Sequence, residues 1–290
     1  MSYQYLPYPG SSISEGSTQS ANVKAIQQQL NIWGHGPLTV DGNFGPGTQG
    51  AVKEFQTVNN LTADGVVGSS TWFALFPATF TSLVNIPANV TKGVDISHYN
   101  QPVDWASIVA AGVAFVYIKT SDGIGTPDPM ASQHTTDAKA NNLKVGYYHF
   151  CRPETRGGTA AQAGTAEAQY TLSQLSLLPN ADMPLMLDLE VASSLSPGDY
   201  LSWVHSFIAA LPVGTNVVIY TYTSYINSHL PSNHDLGKYP LWLARYSNDG
   251  KNAVCPVGWT DWTIWQFEGS GILGNNIPID LDIMKGSVLA

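Results

Sequence analysis

Pro184-Leu185-Met186-Leu187-Asp188-Leu189-Glu190 decides how the rest of the chain reads. The run is short, apolar and opened by a proline, which marks a strand buried on both faces rather than a helix. Side chains alternate along a strand, so Asp188 and Glu190 should share one face, with leucines on the other. Similar β-branched or aromatic runs occur on both sides of it, at 93–97, 114–119, 145–150, 217–222, 241–244, 263–267 and 279–283. Helical patterns at 105–111, 130–143, 160–178 and 197–210 separate the first five runs. Strand–helix alternation with apolar strands predicts a parallel sheet covered on both faces, and eight strands can close it. Beyond the sixth strand the connections are rich in Gly and Asn and show no helical pattern. The expected fold is therefore α/β, an irregular (β/α)8-like barrel over 92–290 that lacks some late helices.

Upstream of the barrel the chain is of another kind. Asp41-Gly42-Asn43-Phe44-Gly45-Pro46-Gly47-Thr48 recurs as Asp64-Gly65-Val66-Val67-Gly68-Ser69-Ser70-Thr71. In each copy Asp-Gly suits a tight turn, and the later Gly and Thr lead into a helix start. Val23, Ile26, Leu30 and Trp33 fall at helical spacing, as do Ala51, Val52 and Phe55. A small unit of three short helices and two turns is expected over 18–76. Residues 1–17 read as a flexible lead-in and 77–91 as a linker.

Composition limits the partners. Apolar residues make up 43% of the 290, enough for a substantial core. Charged residues are 11%, against roughly 25% in ordinary globular chains. Asn, Gln, Ser, Thr and Tyr supply the polarity instead, a surface suited to neutral hydrogen-bonding partners such as sugars. With 12 basic and 21 acidic residues the net charge is −9, which argues against nucleic acid or anionic lipid as partner. No apolar run reaches the ~18 residues of a membrane span, so no membrane insertion is expected. The N-terminus has neither the basic residues nor the apolar run of a signal peptide. Cys151 and Cys255 form no disulfide framework or zinc knuckle; two free thiols are expected, with one long-loop disulfide as the alternative.

The acids that remain sit at strand ends. Asp95 and Ser97 at the first strand and Asp280 and Asp282 at the last repeat the two-residue spacing of Asp188 and Glu190. First and last strands are neighbours in a closed barrel, so Asp95 and Asp280 should lie close together. Catalytic groups collect at the C-terminal ends of barrel strands. Carboxylates flanked by leucine and isoleucine are costly to bury without a use. Paired carboxylates among aromatics are the equipment of glycoside hydrolysis. Tyr99, Tyr148, Tyr220, Tyr222, Trp242, Tyr246 and Trp265 lie near the same strand ends, where rings can stack on sugar faces. No HExxH, GxSxG or Gly-rich phosphate loop competes with this reading. Histidines in Asp95-Ile96-Ser97-His98 and Tyr147-Tyr148-His149 read as structural hydrogen-bonders, and nothing marks Cys151 as an activated thiolate.

With these segments in order, the chain resembles glycoside hydrolase family 25, the muramidases of the Chalaropsis type. The resemblance is carried by GVDISHYN, AFVYIKTSDG, VGYYHF, PLMLDLE, VVIYTYTSY, PLWLARY, TIWQF and IDLDIM. VKAIQQQL, AVKEFQ and the two turns of the N-terminal unit resemble the peptidoglycan-binding domains of cell-wall hydrolases. The family implies cleavage of the β-1,4 bond between N-acetylmuramic acid and N-acetylglucosamine, with no cofactor and no metal. It implies Glu190 as general acid and then base, with Asp188 beside it and Asp95 and Asp280 completing the catalytic set. Tyr148, Tyr220, Tyr222, Trp242, Tyr246, Trp265 and Asp282 are the expected substrate contacts. Asp122 stands where the family commonly has Glu, and Asp282 where Asn is common. Asp188 would orient the substrate's acetamido group for attack on the anomeric carbon, or else Asp188 or Asp280 would be a direct nucleophile. The expected partner is bacterial peptidoglycan, met by a monomer released in phage lysis or exported without a cleaved leader. Two rival readings are a catalytically silent wall-binding or virion protein and a hydrolase of another N-acetylhexosamine polymer.

Overall fold

The computed structural model describes residues 6, 8–59, 61–76, 80–273 and 278–286. They divide into two compact units, Met1–Ser82 and Leu83–Ala290.

In the first unit, helices α1 (Ser20–Ile32), α2 (Pro46–Val58) and α3 (Ser69–Leu75) enclose Val23, Ile26, Leu30, Val52, Phe55 and Trp72, all buried. Each copy of the repeated turn is fastened by one buried glutamine. Gln27 Nε2 donates to Asp41 Oδ1 (2.8 Å), Asn43 O (3.0 Å) and Thr48 Oγ1 (3.2 Å), while its Oε1 accepts from Gly42 N (2.9 Å). Gln56 repeats the set: Nε2 donates to Asp64 Oδ1 (2.9 Å), Val66 O (3.0 Å) and Thr71 Oγ1 (3.0 Å), and Oε1 accepts from Gly65 N (2.8 Å). Gly42 and Gly65 carry φ of 83° and 77°, a backbone that glycine adopts without a Cβ penalty.

Two expectations about the flanks change. The stretch expected as a flexible lead-in is docked at Leu6, Tyr8 and Ile13. Ile13 is fully buried and exchanges backbone bonds with Val67 (3.1 and 2.8 Å), and Trp72 Nε1 donates to Leu6 O (2.7 Å). Apolar Leu6, Tyr8 and Ile13 give it something to bury, a signal that its Ser/Gly content hid. Residues 1–5 and 7, and the linker positions 77–79, lie outside the described residues. Within the remainder of the expected linker, Phe80–Ser82 is a 3₁₀ turn, and Val84 N already bonds Asn248 O (2.8 Å) in the second unit.

The second unit is a closed barrel. Its strands are β1 (Val90–Ile96), β2 (Val113–Asp122), β4 (Lys144–Phe150), β5 (Leu185–Asp188), β6 (Val217–Thr221), β7 (Leu241–Ala244), β8 (Ile264–Ile272) and β9 (Pro278–Lys285). A two-residue β3 (Thr126–Pro127) adds to the end of β2, and pairing of β1 with β2 closes the ring. Helices α4 (Trp105–Ala110), α5 (Ala131–Ala140), α6 (Ala160–Leu175) and α7 (Pro197–Ala209) fill the first four connections as expected. A fifth, α8 (Thr223–His229), was not legible because it is a single short piece of polar sequence. Among the described residues no α-helix follows β7. Phe115, Tyr117, Met186, Val218, Trp242 and Met284 pack into the core.

The all-parallel expectation needs correction at the seam. β9 runs antiparallel to both β8 and β1. Only residues 273–277 join β8 to β9, too few for a parallel crossover, which takes a dozen or more. Reversal puts the first half of β9, not its end, at the mouth where the parallel strands finish. No described helix is long and apolar enough to cross a membrane.

Candidate active site

Backbone register assembles the acids. β1 and β9 pair with Asp95 directly opposite Asp280. β5 ends at Asp188, and Glu190 follows two residues later, tied down although no longer in the strand. Leu189 N donates to Tyr220 O (2.9 Å), Thr221 Oγ1 donates to Leu189 O (2.8 Å), and the Tyr225 hydroxyl donates to Val191 O. Glu190 is thus gripped through both of its chain neighbours. All four acids line one cleft of about 490 Å³ at the barrel mouth, together with Tyr148 and Tyr220.

Burial controls the charges here. Asp95 is pushed up to about 6, first by desolvation, with the bond from Gln266 Nε2 to its Oδ2 (2.7 Å) pulling the other way. Asp280 and Asp282 lie close enough to Asp95 to act on its carboxyl. Burial raises Asp280, and the charge on Asp95 raises it further. Asp188 is driven well up by burial and then by the negative charge of Glu190, and its Oδ1 has no hydrogen-bond partner among the described residues. Glu190 is raised by burial and then by Asp95, against the nearby Lys119 ammonium. The negative charge of Asp95 thus adds to burial in raising Glu190. Desolvation and like charge act together at a cleft, the combination that tunes general acids.

The expected sugar contacts divide. Tyr148, Tyr220 and Tyr246 line the cleft, and so does Tyr99, which is 80% exposed. Tyr222 does not; it sits just past β6 as the N-cap of α8 and packs on the core. Trp242 and Trp265 are fully buried and line no part of the cleft, so the expectation of stacking fails for both. Trp242 Nε1 donates to Asp282 Oδ1 (3.0 Å) and Trp265 Nε1 to Arg245 O (2.8 Å), the bonds expected of buried indoles. Asp282 is likewise fully buried and is not among the residues that line the cleft. Strand position alone could not separate cleft from core, because aromatic residues serve both.

Sequence reasoning missed several cleft residues. Gln266 bridges Asp95 to the Tyr220 hydroxyl (2.8 Å); a lone polar residue between Trp265 and Phe267 was the available signal. His98 Nδ1 meets Asp128 Oδ2 at 2.7 Å on the rim. Lys119 and Arg152 are also in the lining. His149 is a structural bonder as expected, buried between Ser121 Oγ (2.9 Å) and Glu167 Oε1 (3.0 Å). Cys151 and Cys255 are free thiols, and burial pushes Cys151 well above the usual thiol range. His149, Cys151 and Glu167 are close enough to share an ion, but both imidazole nitrogens are already engaged in the protein's own bonds.

Comparison with known proteins agrees with this geometry. Residues 94–275 match Glycosyl hydrolases family 25, and residues 19–75 match a peptidoglycan binding domain family. Lysozyme M1 of Streptomyces globisporus is 32% identical over 205 residues, spanning 67% of each chain. An N,O-diacetylmuramidase of a Chalaropsis species is 33% identical over 190 residues, 60% of this chain and 86% of that one. The crystal structure of the bacterial lysozyme from Streptomyces coelicolor superposes with a TM-score of 0.59 at 29% identity, covering 69% of this chain and 94% of that one.

Proposed function

The chain belongs to glycosyl hydrolases family 25, and from that premise we propose that it is a muramidase of bacterial peptidoglycan. The bond cleaved is the β-1,4 linkage from N-acetylmuramic acid to N-acetylglucosamine. The observation that carries the reading is the assembly of Asp95, Asp188, Glu190 and Asp280 in one desolvated cleft. Glu190 is the more open of the Asp188–Glu190 pair and the better placed to meet a leaving group. Its protonated carboxyl gives a proton to the glycosidic oxygen as the C1–O bond breaks. The acetamido oxygen of the same muramyl residue attacks C1, and Asp188 holds the acetamido N–H. Water then adds to C1, Glu190 takes its proton, and the anomeric configuration is retained. Asp95 and Asp280, facing each other across β1 and β9, fix the electrostatics of the floor.

The N-terminal unit supplies the second half of the reading. A wall-binding module tethered to the barrel raises the local concentration of enzyme on an insoluble polymer. The digest that tests the proposal uses purified sacculi and mass analysis of the released muropeptides. Muramic acid at the new reducing ends is expected. Glucosamine there would replace muramidase by glucosaminidase action, and no release at all would leave a wall-binding protein.

A further inference from the structure

The cleft has one wall of opposite character. Only 12 of 290 residues are basic, yet Lys119 and Arg152 both line this pocket. Arg152 is held at every level. Its backbone N–H donates to Glu167 Oε1 (2.7 Å), and Glu167 is fully buried and bonded by His149. Its stem crosses Gly123, where φ is 52° and an added Cβ would come within 2.7 Å of Arg152 Cγ. Its guanidinium gives two bonds to Asp122, Nε to Oδ1 (2.6 Å) and Nη2 to Oδ2 (3.1 Å), and lies 5.0 Å from the Phe150 ring centre. Asp122 also takes the Lys119 ammonium (3.3 Å), so two cations share one carboxylate and the group keeps a net positive charge. The Arg152 side chain nonetheless stays 44% exposed, and Nη1 has no hydrogen-bond partner among the described residues.

A surface arginine that merely solvates the fold does not need so many restraints, which cost side-chain entropy. Preorganised guanidinium with an unused edge is the usual means of recognising a carboxylate. Every other charged cleft group named above, apart from Lys119, is an acid or is held by one, so an anionic substituent entering the cleft meets attraction on this wall and repulsion elsewhere. We propose that Arg152, positioned by Asp122, Gly123 and Glu167, forms a subsite for a free carboxylate on the sugar ligand, the lactyl carboxylate of a muramyl residue that carries no stem peptide. The proposal rests on the muramidase reading for the ligand's identity and adds to it how a peptide-free muramyl residue is told from a plain N-acetylglucosamine.

Binding in the turnover-blocked Glu190→Gln protein separates the two. The probes are the disaccharide N-acetylglucosaminyl-N-acetylmuramic acid with a free carboxylate, and diacetylchitobiose, which lacks only the lactyl group. Calorimetry at low salt should show the muramyl probe binding about fivefold or more tightly, a preference that shrinks as salt rises. Adding Arg152→Gln should bring the ratio to about one, and Arg152→Lys should retain part of it. An unchanged ratio in Arg152→Gln, or no preference in the parent, would overturn the subsite. Failure of the muramidase reading shows up separately, as intact sacculi with the otherwise unaltered chain.

Discussion

Two regions of this chain bury polar side chains for opposite ends. In the N-terminal unit, Gln27 and Gln56 each make three donor bonds and one acceptor bond, and two unlike sequences are held in one turn geometry. At the barrel mouth, Asp95, Asp188 and Asp282 are buried with Asp280 opposite Asp95, and Asp188 Oδ1 and Asp282 Oδ2 have no partner among the described residues. A satisfied buried amide specifies structure. A crowded, desolvated carboxylate stores free energy that substrate can draw on. The same element of chemistry, a polar group out of water, is thus stabilising in one unit and destabilising in the other.

The largest test of that contrast removes the proposed acid. Glu190→Gln should lower turnover on peptidoglycan by about 10³-fold or more and leave the melting temperature close to the parent's, since the amide replaces a protonated carboxyl of the same shape. Turbidity clearing and calorimetry on the same sample check both halves. Full clearing activity would take Glu190 out of the chemistry, and a marked loss of stability would make it structural.

The second test is the pH dependence of folding, whose sign is opposite in the two units. Asp95 is raised to about 6 in the fold from near 3.9 in the unfolded chain. Its contribution is full below pH ~4, is lost as pH climbs toward 6, and changes no further above that. The loss amounts to about 3 kcal/mol at most. Asp95→Asn should flatten that decline in denaturant titrations of the barrel signal between pH 4 and 7. An undiminished slope in the variant would assign the decline elsewhere.

How far the sequence carried this reading follows from the same distinction. Eight strand runs and four helices were legible because period and apolar content are local properties. The pairing of Asp95 with Asp280 followed from closure alone, although β9 reaches that place by running the other way. The hairpin was hidden because β8 runs on to Ile272, five residues past the end of the run read from the sequence, which shortens the gap to β9. Trp242 and Trp265 could not be assigned from the sequence, since whether a ring at a strand end faces the cleft or the core depends on how neighbouring strands are sheared. Arg152 stayed hidden for another reason: its restraints come from Asp122, Gly123 and Glu167, which converge only in the folded barrel.

A third test returns to the turns. Gln56→Leu keeps the apolar bulk of the side chain but orphans the N–H of Gly65 and takes one donor from the carbonyl of Val66, at a cost of about 2 kcal/mol. Gln27→Leu should cost the first turn a similar amount. Chemical denaturation followed by Trp72 fluorescence reads the N-terminal unit, and turnover on soluble glycan fragments should stay unchanged. Equal stability of parent and variant would mean that the apolar core fixes these turns without help from the glutamines.

The smallest effect is the most specific to the comparison. Asp41 and Asp64 are held below the ordinary carboxylate range, chiefly by the backbone N–H groups of Asn43 and Val66 and then by the two glutamines. Their contribution is present above pH ~4 and is lost as pH falls through the lowered values, the reverse of Asp95. Both side chains are open to water, so screening keeps the effect well below that of Gln56→Leu. Asp41→Asn and Asp64→Asn together should weaken the N-terminal unit at pH 7 and do so less and less as pH falls through the lowered values, where the parent acids take up protons. A loss of the same size at every pH would show that the turns depend on side-chain shape alone. Charge would then distinguish the two regions only at the barrel mouth.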